Sequence, residues 1–115
     1  MHELSIVEAV IEQVRKEVDR SGATGAVIRI ELSIGRLSGV NPDSIRFAFE
    51  MLSPETALAG AELVIAEPKA ICSCRACGAQ TEIDDLTAAC PKCSSAEVSI
   101  TGGRELLLES IELKE

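Results

Sequence analysis

Cys74-Arg75-Ala76-Cys77 and Cys90-Pro91-Lys92-Cys93 form two Cys-x-x-Cys pairs separated by twelve residues. Each pair can close into a tight knuckle that aims two sulfurs at one ion. Gly78 follows the first pair, where such a knuckle wants a permissive backbone. Four thiolates at ~2.3 Å in a tetrahedron are the usual structural Zn²⁺ site, and a closed sulfur shell leaves no position for substrate. Cys74, Cys77, Cys90 and Cys93 therefore read as zinc ligands. The competing chemistry is a redox dithiol or an iron–sulfur cluster. A redox motif normally opens a helix after a strand, and one pair would suffice. Cys72, the fifth cysteine, reads as a small, partly buried residue, with a spare or exchanging thiol as the other option.

A second set of donors stands at the other end of the chain. The only histidine is His2, between Met1 and Glu3. An α-amine (unperturbed pKa about 7.7–8.0) and an imidazole (about 6.5) both lose protons readily near neutral pH. The His2 amide nitrogen lies between them and closes adjacent chelate rings. Such a nitrogen-rich, near-planar set favours Ni²⁺ or Cu²⁺ over Zn²⁺. Glu3 can add its amide nitrogen or its carboxylate, and a bulky residue after Met1 favours retention of the initiator methionine. The bland alternative is an exposed terminal side chain with no ligand role.

These donors need elements to hold them. Leu4, Val7, Ile11, Val14 and Val18 recur at steps of three and four, with Ile6 and Val10 widening the stripe, which predicts a helix to about Arg20. Ser5 and Glu8 have capping-box spacing, with a start one or two residues earlier also possible, and Glu12 and Lys16 are spaced to pair on the wet face. Ile28, Ile30, Leu32 and Ile34 alternate with polar residues, the pattern of a strand with one buried face. Asn41-Pro42 reads as an N-cap with proline at the first helical position, opening a second helix that buries Ile45, Ala48, Phe49 and Leu52. Residues 62–67 and 105–113 read as further strands, the last apolar on both faces and so expected at the centre of a sheet.

The predicted fold is α+β: a three-stranded sheet of 28–34, 62–67 and 105–113 with two helices on one face, plus an inserted four-cysteine zinc ribbon. The corresponding domains are 1–69 with 100–115, and 70–99. Residues 70–97 hold all five cysteines and few large hydrophobes, so metal binding, about 10–16 kcal/mol for such sites, is expected to fold that module.

Composition narrows the function. Apolar residues make up 46% of the 115, but aromatics only 2%, namely Phe47 and Phe49. The core must be aliphatic, and platforms for stacking nucleic-acid bases are nearly absent. The net charge of −8 repels phosphate backbones and suits cations and basic protein surfaces. Residues 72–97 carry Arg75 and Lys92 against Glu82, Asp84, Asp85 and Glu97, so the ribbon has no basic face for nucleic acid. No apolar run approaches the ~18–20 residues that span a bilayer. Acidic residues through the first twenty argue against a signal peptide. The reading is a cytoplasmic protein that binds neither membrane nor nucleic acid.

Met1-His2-Glu3-Leu4-Ser5 opening a helix, an α/β body, and Cys-x-x-Cys followed by Cys-Pro-x-Cys together closely resemble the HypA/HybF family. The likeness runs along essentially the whole chain, through Ile34-Gly35, Phe49 and Ser110-Ile111-Glu112. The resemblance implies a nickel metallochaperone for [NiFe]-hydrogenase maturation, and in some organisms for urease. It implies nickel held by the Met1 amine, His2 and the backbone of Glu3, and structural zinc on Cys74, Cys77, Cys90 and Cys93. The implied partners are a nickel-binding GTPase and the hydrogenase large-subunit precursor, with room for a homodimer. Histidines found near the zinc site in some members have no counterpart here. The implied role is delivery and not catalysis; a zinc-ribbon protein-interaction adaptor and a thiol oxidoreductase are the alternatives.

Overall fold

The computed structural model describes residues 3–114, so Met1 and His2 lie outside the described residues. Two helices and two three-stranded sheets make an α+β fold. Helix α1 spans Glu3–Ser21, strand β1 Val27–Ile34, helix α2 Pro42–Leu52, and a 3₁₀ turn Ser53–Glu55. Strands β2 (Glu62–Ala66), β3 (Ala70–Cys74), β4 (Gln80–Ile83), β5 (Val98–Thr101) and β6 (Leu106–Leu113) follow. The sheets have the orders β2-β1-β6 and β4-β3-β5. The chain divides into two compact units: Met1–Leu32 with Val40–Ile65 and Leu107–Glu115, and Ser33–Gly39 with Ala66–Leu106. Among the described residues no helix is long and apolar enough to cross a membrane.

In the first unit the apolar stripe of α1 buries Val7 and Val14, and α2 buries Ile45, Ala48 and Phe49. Ile30 and Leu32 of β1 and Leu58 complete the core. Arg46 of α2 donates to the Leu63 carbonyl of β2 (3.1 Å), and Gln13 and Glu17 of α1 share a small cleft with residues 108–111 of β6. These contacts tie α2 to β2 and α1 to β6. Across the sheet Arg29 pairs with Glu112 of β6 and, at 4.0 Å, with Glu62 of β2.

Local signals explain most element ends. The Asn41 side chain accepts hydrogen bonds from the backbone N–H groups of Asp43 (2.8 Å) and Ser44 (3.3 Å), so the expected cap of α2 is made. The Ser21 hydroxyl donates to Val18 O (2.8 Å) and Gly22 takes φ +73°, closing α1. Ser5 lies inside α1, two residues beyond Glu3, and is no capping residue. Glu12 bonds Arg15 instead of the expected Lys16, because the Arg15 fork also reaches Asp19 (3.1 Å) and bridges both carboxylates.

The expected three-stranded sheet is present, but β6 is not at its centre. Strand β1 is central and β6 is an edge, with Leu106 and Leu107 exposed. Its leucines occur on both faces without both faces being covered, so apolar density misplaced the strand. Backbone bonds from Lys114 N to Ala26 O and from Gly35 N to Glu105 O, both 2.8 Å, show that β1 and β6 run antiparallel.

In the second unit β3 lies between two antiparallel neighbours, pairing Cys72 with Thr81 of β4 and with Ile100 of β5. Ala70, Cys72 and Ile83 form a small buried cluster, flanked by Leu37, Val98 and Ile100. The module therefore has a core of its own, contrary to the sparse content of residues 70–97, because Leu37, Val98 and Ile100 are supplied from outside that span. The unit's limits differ from 70 and 99 for the same reason. Arg36 N donates to Pro68 O (2.9 Å) and Leu37 N to Gly103 O (2.6 Å), joining residues 33–39 to it. Two glycines permit this approach. A Cβ on Gly35 would fall 2.2 Å from the Gly103 carbonyl carbon, and one on Gly103, at φ +77°, 2.8 Å from Ala70 Cβ.

Candidate metal centre

Two turns of the same design present the cysteines. Strand β3 ends at Cys74, and the Gly78 N–H returns to the Cys74 carbonyl (3.0 Å) with Gly78 at φ +77°. In the second turn the Ser94 N–H returns to the Cys90 carbonyl (2.9 Å), and Ser94 takes φ +66°. Gly78 and Ser94 each stand four residues after the first cysteine of their pair. Glycine makes the first position legible in the sequence. Serine conceals the second, where a left-handed backbone is sterically less favourable.

The first cysteine of each turn is buried and the second exposed: Cys74 and Cys90 face inward, Cys77 and Cys93 outward. Sγ–Sγ separations are 3.6 Å for Cys74–Cys93 and 3.7 Å for Cys77–Cys90, and all four sulfurs lie within 4.8 Å of one another. A tetrahedron with ~2.3 Å metal–sulfur bonds has an edge of about 3.8 Å, so the spacing fits one tetrahedral ion at the centre. It exceeds the ~2.05 Å of a disulfide bond by far, and all five cysteines are free. A multi-iron cluster would hold the four sulfurs further apart.

The backbone readies two of the thiols. Amide N–H groups of Cys77 and Ala76 hold the Cys74 thiol below its ordinary range despite its burial. Those of Cys93 and Lys92 bring Cys90 down to about 7, the Lys92 N–H lying 3.3 Å from the sulfur. Cys93 behaves oppositely. The Ser95 N–H favours its thiolate, but burial and the sulfurs of Cys74, Cys77 and Cys90 outweigh it and push Cys93 up to about 12. Four thiolates this close repel one another, and only a central cation lets all four ionise near neutral pH.

Cys72 is not in the group. Its side chain is 1% exposed in the small core, and burial first, then the charges of Cys90, Cys74 and Cys77, raises its pKa. A protonated, inaccessible thiol is neither nucleophile nor ligand, which agrees with the bland reading of this residue. Among the described residues, Cys74, Cys77, Cys90 and Cys93 are the metal-ligating side chains that converge. Of the expected nickel donors, Met1 and His2 lie outside the described residues, and Glu3 forms the first described turn of α1.

Comparison with known proteins yields one consistent family. Residues 1–113 match the family described as hydrogenase/urease nickel incorporation, metallochaperone, HypA. A hydrogenase maturation factor HypA from Chlorobium limicola is 39% identical, covering 100% of this chain and 98% of that one. The factor of the same name from Chlorobaculum parvum is 40% identical, covering 99% and 100%. Among solved structures, the nickel metallochaperone HypA from Helicobacter pylori aligns with a TM-score of 0.65 at 29% identity, over 98% of this chain and 97% of that one.

Proposed function

The chain belongs to the HypA family of nickel-incorporation metallochaperones, and from that premise we propose that it takes up Ni²⁺ at its amino terminus and delivers it for hydrogenase maturation. The nickel ligands are the Met1 amine, His2 and Glu3. The partners are a nickel-binding GTPase and the hydrogenase large-subunit precursor, in the cytoplasm. Structural Zn²⁺ is held by Cys74, Cys77, Cys90 and Cys93. The observation that carries this reading is the family match from residue 1 onward, so that Met1-His2-Glu3 falls inside the matched region.

The two donor sets suit opposite tasks. Four sulfurs on folded turns around one point make a closed shell suited to a resident ion. Donors carried by three consecutive residues at a chain end can leave one at a time, which a carrier needs. Cargo exchange on such a terminus asks for no catalytic residue.

Titration separates this reading from a zinc-ribbon adaptor. Ni²⁺ is added to the zinc-loaded chain with Met1 as the free terminus, to the same chain extended before Met1, and to His2→Ala. One equivalent should bind tightly to the first alone. Equal binding by all three would remove the amino-terminal site and leave the adaptor. Because protons compete for the amine and the imidazole, nickel affinity should fall steeply from pH 7.5 to 6 while zinc remains bound. A flat nickel affinity over that interval contradicts the assignment.

A further inference from the structure

Helices α1 and α2 leave an open cleft of about 770 Å³ at the start of the first unit, within the ~300–1,000 Å³ typical of binding clefts. Its apolar side chains are Leu4 of α1 and Phe47, Ala48 and Met51 of α2. Leu4 is 46% exposed, Phe47 65% and Met51 53%. Phe47 and Met51 stand one helical turn apart, so they make one stripe on the face of α2 opposite to Ile45 and Phe49, which are buried. A chain with only two aromatic residues thus displays one of them to solvent. Contiguous exposed apolar side chains of this kind mark binding surfaces, and aromatic side chains are over-represented at their energetic centres.

Among the described residues, the charged ones lining the cleft are Glu3, Glu8 and Asp43, all acidic, with no lysine or arginine. That selects the occupant. A second copy of this chain would bring the same carboxylates against these three, in a molecule already at −8. An anionic lipid surface is repelled in the same way. A partner helix that offers large apolar side chains flanked by lysine or arginine satisfies both the floor and the rim, in the manner of helix-in-groove recognition. We propose that the Leu4–Phe47–Met51 cleft is a docking site for a basic amphipathic helix of a partner protein. The site shares Glu3 with the proposed nickel donors, but its floor is made by Leu4, Phe47, Ala48 and Met51, so the two readings are tested apart through His2.

The test is an NMR titration of the full-length, zinc-loaded, nickel-free chain with three eighteen-residue peptides. One is an amphipathic helix of leucine and lysine. The second replaces lysine with glutamate. The third has the leucine and lysine content of the first, with the helical period scrambled. The first should bind and shift the amides of Leu4, Phe47, Ala48 and Met51, at least tenfold more tightly than the other two. Phe47→Ala and Glu8→Lys should each weaken it about tenfold or more, with unchanged amide spectra elsewhere reporting an intact fold. Equal binding of the scrambled peptide would reduce the effect to bulk charge, and equal binding of the glutamate peptide to undirected apolar contact; either overturns the proposal. So does the absence of binding. Concentration-dependent shifts at Phe47 and Met51 in the free protein would assign the cleft to a second copy instead. His2→Ala should bind the first peptide as the parent chain does, so failure of the nickel reading and failure of this one are separately visible.

Discussion

The two units close by different means. The unit containing α1, α2 and the β2-β1-β6 sheet buries long aliphatic side chains: Val7, Val14, Ile30, Ile45 and Leu58 are at most 1% exposed. The unit built on the β4-β3-β5 sheet buries Ala70, Cys72 and Ile83 beneath three partly exposed hydrophobes. Burial of a large aliphatic side chain is worth about 1.5–3 kcal/mol, so the first unit draws more on this driving force than the second, whose large buried aliphatic side chains are Ile34 and Ile83. The second also has four sulfurs at the edge lengths of a tetrahedral ion. One unit rests on solvent exclusion, and the other adds to a smaller core four sulfurs placed where they could hold an ion. If Cys74, Cys77, Cys90 and Cys93 hold an ion, its loss should loosen the second unit more than the first.

Removing that coordination should produce the largest effect. Cys90→Ser, or chelation at pH 7, is expected to abolish zinc binding and hydrogen-exchange protection across β3, β4 and β5, while amides of α1 and α2 stay protected. Protection surviving in β3 without metal would dissolve the contrast between the units. Acid should act in the same direction. Protons and metal compete for the same sulfurs, so zinc affinity falls as pH falls, despite the backbone N–H groups that bring Cys90 down to about 7.

The converse experiment attacks the aliphatic core. Ile30→Ala, at a site with 0% exposure, should cost about 2–5 kcal/mol in urea denaturation followed by far-ultraviolet circular dichroism. Zinc content should remain at one ion per chain, since no cysteine is disturbed. Concerted loss of zinc would show that the units do not stand apart energetically.

A smaller effect is expected where only a helix end is changed. Asn41→Ala removes the acceptor for two backbone N–H groups of α2 and should lower stability by about 1 kcal/mol. Asn41→Asp should retain most of it.

Glu12→Gln should have the smallest effect, shifting the thermal midpoint by about 2 °C or less at pH 7. The hydrogen bond from Arg15 holds the Glu12 carboxyl below its ordinary 4.5. Its contribution is therefore present above that ordinary value and disappears as pH falls through the lowered one. The parent chain and Glu12→Gln should converge on acidification, and a difference that grows instead would contradict the pairing.

Sequence patterns were informative where the relevant physics is local. The α2 cap was legible because asparagine and proline report their own backbone geometry, and the cysteine knuckles because spacing controls where sulfurs can point. Strands β3 and β4 were concealed in a segment that reads as turns. In β3 the inward positions are Ala70, Cys72 and Cys74, and small residues do not register as a hydrophobic alternation. Ser94 hid its left-handed backbone for a similar reason, standing where its counterpart turn has Gly78. The period of α2 showed that Ile45, Ala48 and Phe49 are buried, whereas Leu52, expected with them at the helix end, is only partly covered, and it did not show that Phe47 and Met51 would be left uncovered.

By itself the sequence determined both helices, the strands of the first sheet, the four cysteines spaced to share an ion and the distance of His2 from them along the chain, because helix period, strand alternation and ligand spacing are set by covalent geometry over a few residues. Only the tertiary structure decided which strand is central and that residues 33–39 join the cysteine unit. It also set the four sulfurs at tetrahedral distances and left the Leu4–Phe47–Met51 cleft open. Each of those outcomes depends on segments distant in the chain meeting and excluding water, and no local pattern encodes which face finds a partner.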